Sequence, residues 1–250
     1  MSNDEKKLSL LGHLAELRKR LIRSVIAIVI TSILSFIFYQ QIFDILIAPV
    51  PQGINLQAIE MTEMIGTIMR VCMVSGIMLA MPYLTYQLIM FVSPALTRRE
   101  KRYVYLVLPW IALMFAAGIV FGYFVILPRM IGFLTTFGGN IATIVPKIGS
   151  YINVVTRLLL YIGLVFEMPV VTTFLARIGI VKSKWLADKR KAAIILAFIL
   201  AAIITPTIDP INQSLVAAPL IVLYEMSIWL AKLVQRKEPP TETPASSAAS

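Results

Sequence analysis

The chain has 250 residues, 58% of them hydrophobic and only 14% charged, with a mean hydropathy of +0.83. An ordinary soluble domain is about half apolar and about a quarter charged, so this composition excludes one and indicates a membrane protein. Lysine and arginine number 23 against 13 acids, a formal charge of +10, and whether that surplus marks a nucleic-acid partner or a membrane topology depends on where the cations lie.

Near the start stands HLAELRKRL, in which Leu10, Leu14, Leu17 and Leu21 recur at three- and four-residue spacing. Residues 1–20 are therefore expected to form an amphipathic helix on the membrane surface before the chain turns into the bilayer. Its polar face holds His13, Glu16 and Arg20. Glu16, one acid among basic residues, either pairs with Arg20 one turn on or is offered to a ligand.

Six apolar stretches follow, at residues 21–39, 67–92, 103–127, 151–175, 192–204 and 215–230. A spanning helix needs about 20 apolar residues. The first resembles a secretory signal because basic residues precede it, but its 19 residues and the lack of a small-x-small cleavage site favour an uncleaved helix. In the loop after it, Pro49 and Pro51 set a rigid bend, with Glu60 and Glu63 facing outward. The second stretch runs into FVSPALTRREKR, where Ser93-Pro94 ends or kinks the helix. Glu100 then stands between Arg99 and Lys101, either balancing charge at a helix start or joining Glu16 on the same membrane face. Two carboxylates there suit the guanidinium groups of a partner, held by bidentate hydrogen bonds.

Glu167, in LVFEMPVV, falls about two-thirds along the fourth stretch. An ionisable side chain at that depth costs at least about 2.5–3.5 kcal/mol, so it faces a partner or a cavity instead of lipid, whether as a hydrogen-bonded link between helices or as a functional group. Pro169 is expected to bend the helix there, and Arg157 to snorkel to the outer interface. The fifth stretch has only 13 residues before Thr205-Pro206 and the sixth only 16. Such helices reach about 20–24 Å, which implies a thinned bilayer or a water-filled cavity beside them. Between them lies TPTIDPINQ: Pro206 and Pro210 are expected to stop both helices, and Thr205, Asp209, Asn212 and Gln213 bring polar groups to the outer rim, where Asp209 and Asn212 also suit turn and capping roles. Glu225 lies near the inner end of the last stretch, and residues 232–250 have the composition of a disordered tail.

The cations decide the orientation. Of the 23, 19 fall in residues 1–23, the loop after the second stretch, the segment between the fourth and fifth, and the tail, all on alternate loops. Both termini are thus expected in the cytoplasm, and the charge is a topology signal with no nucleic acid implied. Cys72 is the single cysteine and His13 the single histidine, so no disulfide, haem pair or multi-residue metal site is expected. No GxxxxGK[ST] loop and no Ser-His pairing within the bilayer occur, so no enzyme is expected and no cofactor. No internal repeat is visible, which counts against a secondary transporter. The alternative function class remains a small-solute or ion transporter with Glu167 as its coupling carboxylate.

Taken together, HLAELRKRL, FVSPALTRREKR, FGYFVILP, SYINVVTRLLLYIGLVFEMP, TPTIDPINQ and PLIVLYE resemble the TatC family, the polytopic receptor subunits of the twin-arginine protein translocase, over residues 8–231. The resemblance implies an all-α, cupped bundle of six transmembrane helices with both ends cytoplasmic. It implies a receptor for twin-arginine signal peptides of folded precursors, working with TatA- and TatB-type single-span partners, associating with itself and driven by the proton-motive force. Glu16 and Glu100 are implied in binding the paired arginines, with Arg18, Phe91, Pro94 and Leu96 in supporting motifs. Glu167 is implied as a polar contact on the concave face, and the short fifth and sixth stretches lead to the expectation that it is reachable from the hollow. Thr205, Asp209 and Gln213 are implied at a partner helix, and Pro49 matches a family position in the outer loop. TPTIDPINQ departs from the common TPPD form by one residue between its first proline and its acid.

Overall fold

The computed structural model describes residues 3–51, 54–92, 98–136, 145–205 and 209–235, with side chains from residue 12 in the first segment and from 107 in the third. They form nine α-helices, a single π-helical turn and an isolated parallel bridge between Gln57 and Lys147. The helices are α1 (Asn3–Ile37), α2 (Tyr39–Ile47), α3 (Glu63–Val92), α4 (Arg98–Phe121), α5 (Leu127–Thr136), α6 (Ile148–Arg177), α7 (Ser183–Asp188), α8 (Arg190–Ile204) and α9 (Pro210–Val234). The π-helical turn, Gly122–Ile126, joins α4 to α5 without a break. Pro128 stands two residues beyond it, after Leu127. A proline ring crowds the carbonyl four residues back, and widening that turn by one residue relieves the crowding.

Among the described residues, five helices are long and apolar enough to cross a membrane: Gly12–Ile37, Glu63–Val92, Val107–Thr136, Ile148–Arg177 and Pro210–Val234. The protein is a multi-pass membrane protein of all-α class. Two expectations about the short stretches separate here. Helix α8 has 15 residues, about 22 Å against a hydrocarbon core of about 30 Å, and keeps the shortness its apolar run indicated. Helix α9, by contrast, has 25 residues. Pro210 does not stop a helix but begins one: it occupies the first turn, where a missing N–H is harmless, and Asp209 caps it.

A second correction concerns the start of the chain. Helix α1 runs unbroken from Asn3 to Ile37, so there is no turn near residue 20 between a surface helix and the first span. No proline or glycine interrupts HLAELRKRLIRSV beyond Gly12, and helix propensity carries the segment through.

The long helices pack in a row, α1 on α3, α3 on α6, α6 on α9 and α9 on α8, with α4 against both α3 and α6. Because α6 has neighbours on several sides, Ile152, Val155, Leu158 and Ile162 are all at most 2% exposed and form the centre of the core with Val71, Ile126, Leu127, Val216 and Leu220. Helix α6 ends at Gly179, whose φ of 82° lies in the left-handed region that glycine enters without a Cβ penalty. Helix α1 is the outlier: only 6% of its apolar stretch is buried, against 33–39% of the other four. It leans on α3, where Thr31 Oγ1 donates to the Gly76 carbonyl at 2.7 Å. The start of α1 meets the end of α3, and the start of α3 meets the start of α6, so the bundle has a basic end and an opposite end.

Candidate functional site

On α1, His13, Glu16 and Arg20 are spaced three and four residues apart and share a face. On α3, Tyr83, Gln87 and Phe91 follow at four-residue intervals and share another. The two stripes meet at the basic end. The His13 and Phe91 rings stack with centroids 4.4 Å apart and planes at 22°. Arg20 donates from Nε and Nη2 to Glu16 Oε1, at 2.9 and 2.5 Å, and from Nη1 to Gln87 Oε1 at 3.0 Å. Gln87 passes the chain on, donating from Nε2 to the Tyr83 hydroxyl at 2.6 Å.

The Glu16–Arg20 pairing expected from their spacing is therefore present, but it is not the whole of the contact. Arg20 is 16% exposed, tied to a second helix, and both its bonds to Glu16 fall on one oxygen. Glu16 itself is 35% exposed, with no partner for Oε2 among the described residues. The carboxylate is thus held in place on one side and open on the other. Arg18 lies about 200° around α1 from Glu16, exposed and outside this cluster. Glu100 is the third residue of α4, and its side chain, with Pro94 and Leu96, lies outside the described residues.

Glu167 is the hydrogen-bonded link between helices, one of its two readings from the sequence, and departs only from the expected opening to a hollow. It is 3% exposed, not open to a hollow. Thr85 Oγ1 donates a hydrogen bond to its Oε2, and Oε1 has no partner among the described residues. The burial follows from register. Helices α3 and α6 start together at the opposite end, so Thr85 and Glu167, 22 and 19 residues along, reach similar depth and face each other across the α3–α6 contact. Replacing Glu167 by glutamine, which keeps an acceptor for Thr85, is expected to leave thermal stability within about 1 kcal/mol of wild type, whereas alanine, which also leaves a cavity, lowers it by about 2–4 kcal/mol. Melting of the detergent-solubilised variants measures the difference; equal melting of the two would show that the carboxyl's hydrogen bond and volume carry no weight.

At the opposite end, the polar residues of TPTIDPINQ do local work. Asp209 Oδ1 accepts from the Asn212 N–H at 2.7 Å and Oδ2 from Asn212 Nδ2 at 3.0 Å, which caps α9. Thr205 Oγ1 donates to the Ala201 carbonyl at 2.9 Å, and Gln213 is half-buried in the first turn of α9. Pro49 follows the end of α2, whose last carbonyls are taken up from elsewhere: Tyr123 donates to Ile45 and Tyr151 to Leu46, both at 2.8 Å. Glu63 is a fastening that composition alone did not single out. One oxygen accepts the N–H groups of Ile59 at 2.8 Å and Glu60 at 3.3 Å, and the other accepts Gly149 N–H at 2.9 Å in the first turn of α6. One carboxylate so serves the starts of two helices, with Lys147 3.8 Å away. The Lys147 ammonium, hydrogen-bonded to Glu60, is held above its ordinary pKa. Glu63→Ala should lower the melting temperature and speed exchange of the Gly149 amide. Glu60→Ala, removing a side chain that is 67% exposed, should do neither.

A family model described as Sec-independent protein translocase protein (TatC) matches residues 12–219, a stretch that holds His13, Glu16, Phe91, Glu167 and Asp209. The chain belongs to the TatC family. The Sec-independent protein translocase protein TatC of Carboxydothermus hydrogenoformans is 41% identical, over 94% of this chain and 97% of its own length. TatCd of Bacillus subtilis is 36% identical, over 97% and 99% respectively. A crystal structure of a twin arginine translocase receptor, TatC, matches this fold with a TM-score of 0.81 at 38% identity, covering 90% of this chain and 100% of that one. The chain is accordingly a component of a protein translocase, a transport protein and not an enzyme.

Proposed function

We propose that this TatC-family chain is the receptor of a twin-arginine translocase, binding the signal peptides of folded precursors at the basic end of its bundle. The observation that carries the reading is the half-open carboxylate of Glu16. Arg20, anchored on Gln87, fixes Oε1 and leaves Oε2 for a guanidinium of the peptide. Glu100, early in α4 on the same end, supplies the second carboxylate for the second arginine. Phe91, backed by His13, offers an apolar surface beside them. The surrounding cations repel basic peptides that cannot place two guanidinium groups on two carboxylates.

The basic end faces the cytoplasm, where the positive-inside bias puts it, and α8 crosses a locally thinned bilayer as the sixth span. TatA- and TatB-type partners dock at the opposite end around Thr205, Asp209 and Gln213, with Pro49 shaping the adjoining loop. Copies of the chain associate with one another. Transport is driven by the proton-motive force, about 2.3 kcal/mol per elementary charge per 100 mV.

The test is binding of a fluorescent twin-arginine signal peptide to the purified protein, compared with its twin-lysine version. Lysine keeps the charge but loses the planar fork, so the twin-lysine peptide is expected to bind about tenfold more weakly or worse. Equal binding of the two would leave only a general attraction between charges and would sink the receptor reading.

A further inference from the structure

Away from the proposed peptide site, α7, the start of α8 and the end of α9 border a half-open cavity of about 380 Å³. Its rim carries Lys184, Arg190 and Lys232, and its apolar lining is Ala187, Ile228 and Trp229. The walls are fixed. Tyr224 of α9 donates to the Leu186 carbonyl of α7 at 2.8 Å, and Ser183 donates to Gln235 at 2.7 Å. Arg190 grips Glu225 with two bonds of 2.8 and 3.0 Å. The cavity is therefore preorganised, and a ligand need not order its walls.

Charge and depth define what fits. Glu225 neutralises Arg190, while Lys184 and Lys232 have no carboxylate partner among the described residues, so the rim carries two uncompensated positive charges. Of the three tryptophans in the chain, Trp185 and Trp229 both stand at this corner, 57% and 70% exposed. Exposed tryptophans at the end of a membrane-spanning helix mark the headgroup level of a bilayer. A phosphate in the cavity has Lys184 and Lys232 in the lining to pair with, and Ala187, Ile228 and Trp229 give the same cavity apolar surface. Free inorganic phosphate would leave Ala187, Ile228 and Trp229 unused.

We infer that this cavity binds the headgroup of an anionic phospholipid, with its phosphate between Lys184 and Lys232 and its glycerol region over Ile228 and Trp229. The contact fastens the α7–α9 corner to the leaflet and does not depend on the signal-peptide reading.

Native mass spectrometry of the delipidated protein, titrated with phosphatidylglycerol and with phosphatidylcholine of the same chains, tests it. Wild type should prefer phosphatidylglycerol, and Lys184→Gln/Lys232→Gln should lose about 30-fold of that affinity, the value of two cations near anionic lipid. Lys189→Gln/Lys191→Gln removes the same charge at the nearby α7–α8 junction but outside the cavity lining, and should keep the preference. Melting temperatures in lipid-free detergent confirm that both double variants are folded. An equal loss in both, or no loss in the first, overturns the site. Displacement of phosphatidylglycerol by millimolar inorganic phosphate overturns the lipid as its occupant.

Discussion

Glu16→Ala/Glu100→Ala is expected to lose about 100-fold of the affinity for a twin-arginine peptide while remaining inserted and folded. A hydrogen bond to a charged group contributes about 1.5–3 kcal/mol when well shielded, and exposure of more than a third at Glu16 reduces that to about 1–2 kcal/mol. Two such losses give about 2–4 kcal/mol, centred near 100-fold. Single variants should each show about the square root of the double effect, provided the carboxylates act on separate arginines. A peptide with one arginine replaced by lysine separates the roles further, since it should be insensitive to one of the two substitutions. Undiminished crosslinking of the peptide to the double variant would remove these residues from the site. The variant's melting temperature is the control: Arg20 keeps its bond to Gln87 at 3.0 Å when Glu16 is truncated, so α1 should stay on α3.

What the residues disclosed depended on how far apart the interacting groups lie in the chain. Spans, their order and the special position of Glu167 follow from runs and costs that are local, and the structure places helices at each predicted stretch. The pairing of Glu16 with Arg20 is likewise local, four residues apart. The partner of Glu167 is 82 residues away, and nothing in LVFEMPVV specifies that Thr85 rather than a hollow receives it. The same separation hid Gln87 from Arg20 and Gly149 from Glu63, 67 and 86 residues apart. A signal for the first was nonetheless present. Tyr83, Gln87 and Phe91 form a polar and aromatic stripe at four-residue spacing on an otherwise apolar span, and Gln87 is 5% exposed. A buried amide needs partners, so such a stripe identifies a helix face turned toward another helix. The start of α9 differs from expectation for another reason: a proline reads as a helix stop, although directly after Asp209 it is equally a first-turn residue.

Gly76→Ile is expected to separate α1 from α3 and thereby dismantle the proposed peptide site without touching any of its residues. A Cβ on Gly76 would lie 2.5 Å from Ser32 Cα and 2.6 Å from Ser32 N, so the collision is with backbone and no side-chain rotation relieves it. Overpacking of this kind costs about 1–3 kcal/mol when the core can adjust, and more when backbone must move. Among the described residues, helix α1 packs on α3 alone of the long helices and only 6% of its apolar stretch is buried, so no second long helix holds it in place. Its side-chain ties to α3 at the basic end are His13 on Phe91 and Arg20 on Gln87, and tilting of α1 away from Ser32 loosens both. Spin labels at Ile22 and Leu79, both exposed, should report a longer and broader distance distribution in the variant, and the twin-arginine peptide should bind about tenfold more weakly or worse. Gly66 lies on the same helix with nothing within 4 Å of an added Cβ, so Gly66→Ile should change neither reading. Should Gly76→Ile instead keep the wild-type distance and affinity, α1 is held by the lipid and not by α3, and Glu16 is positioned independently of Gln87 and Phe91.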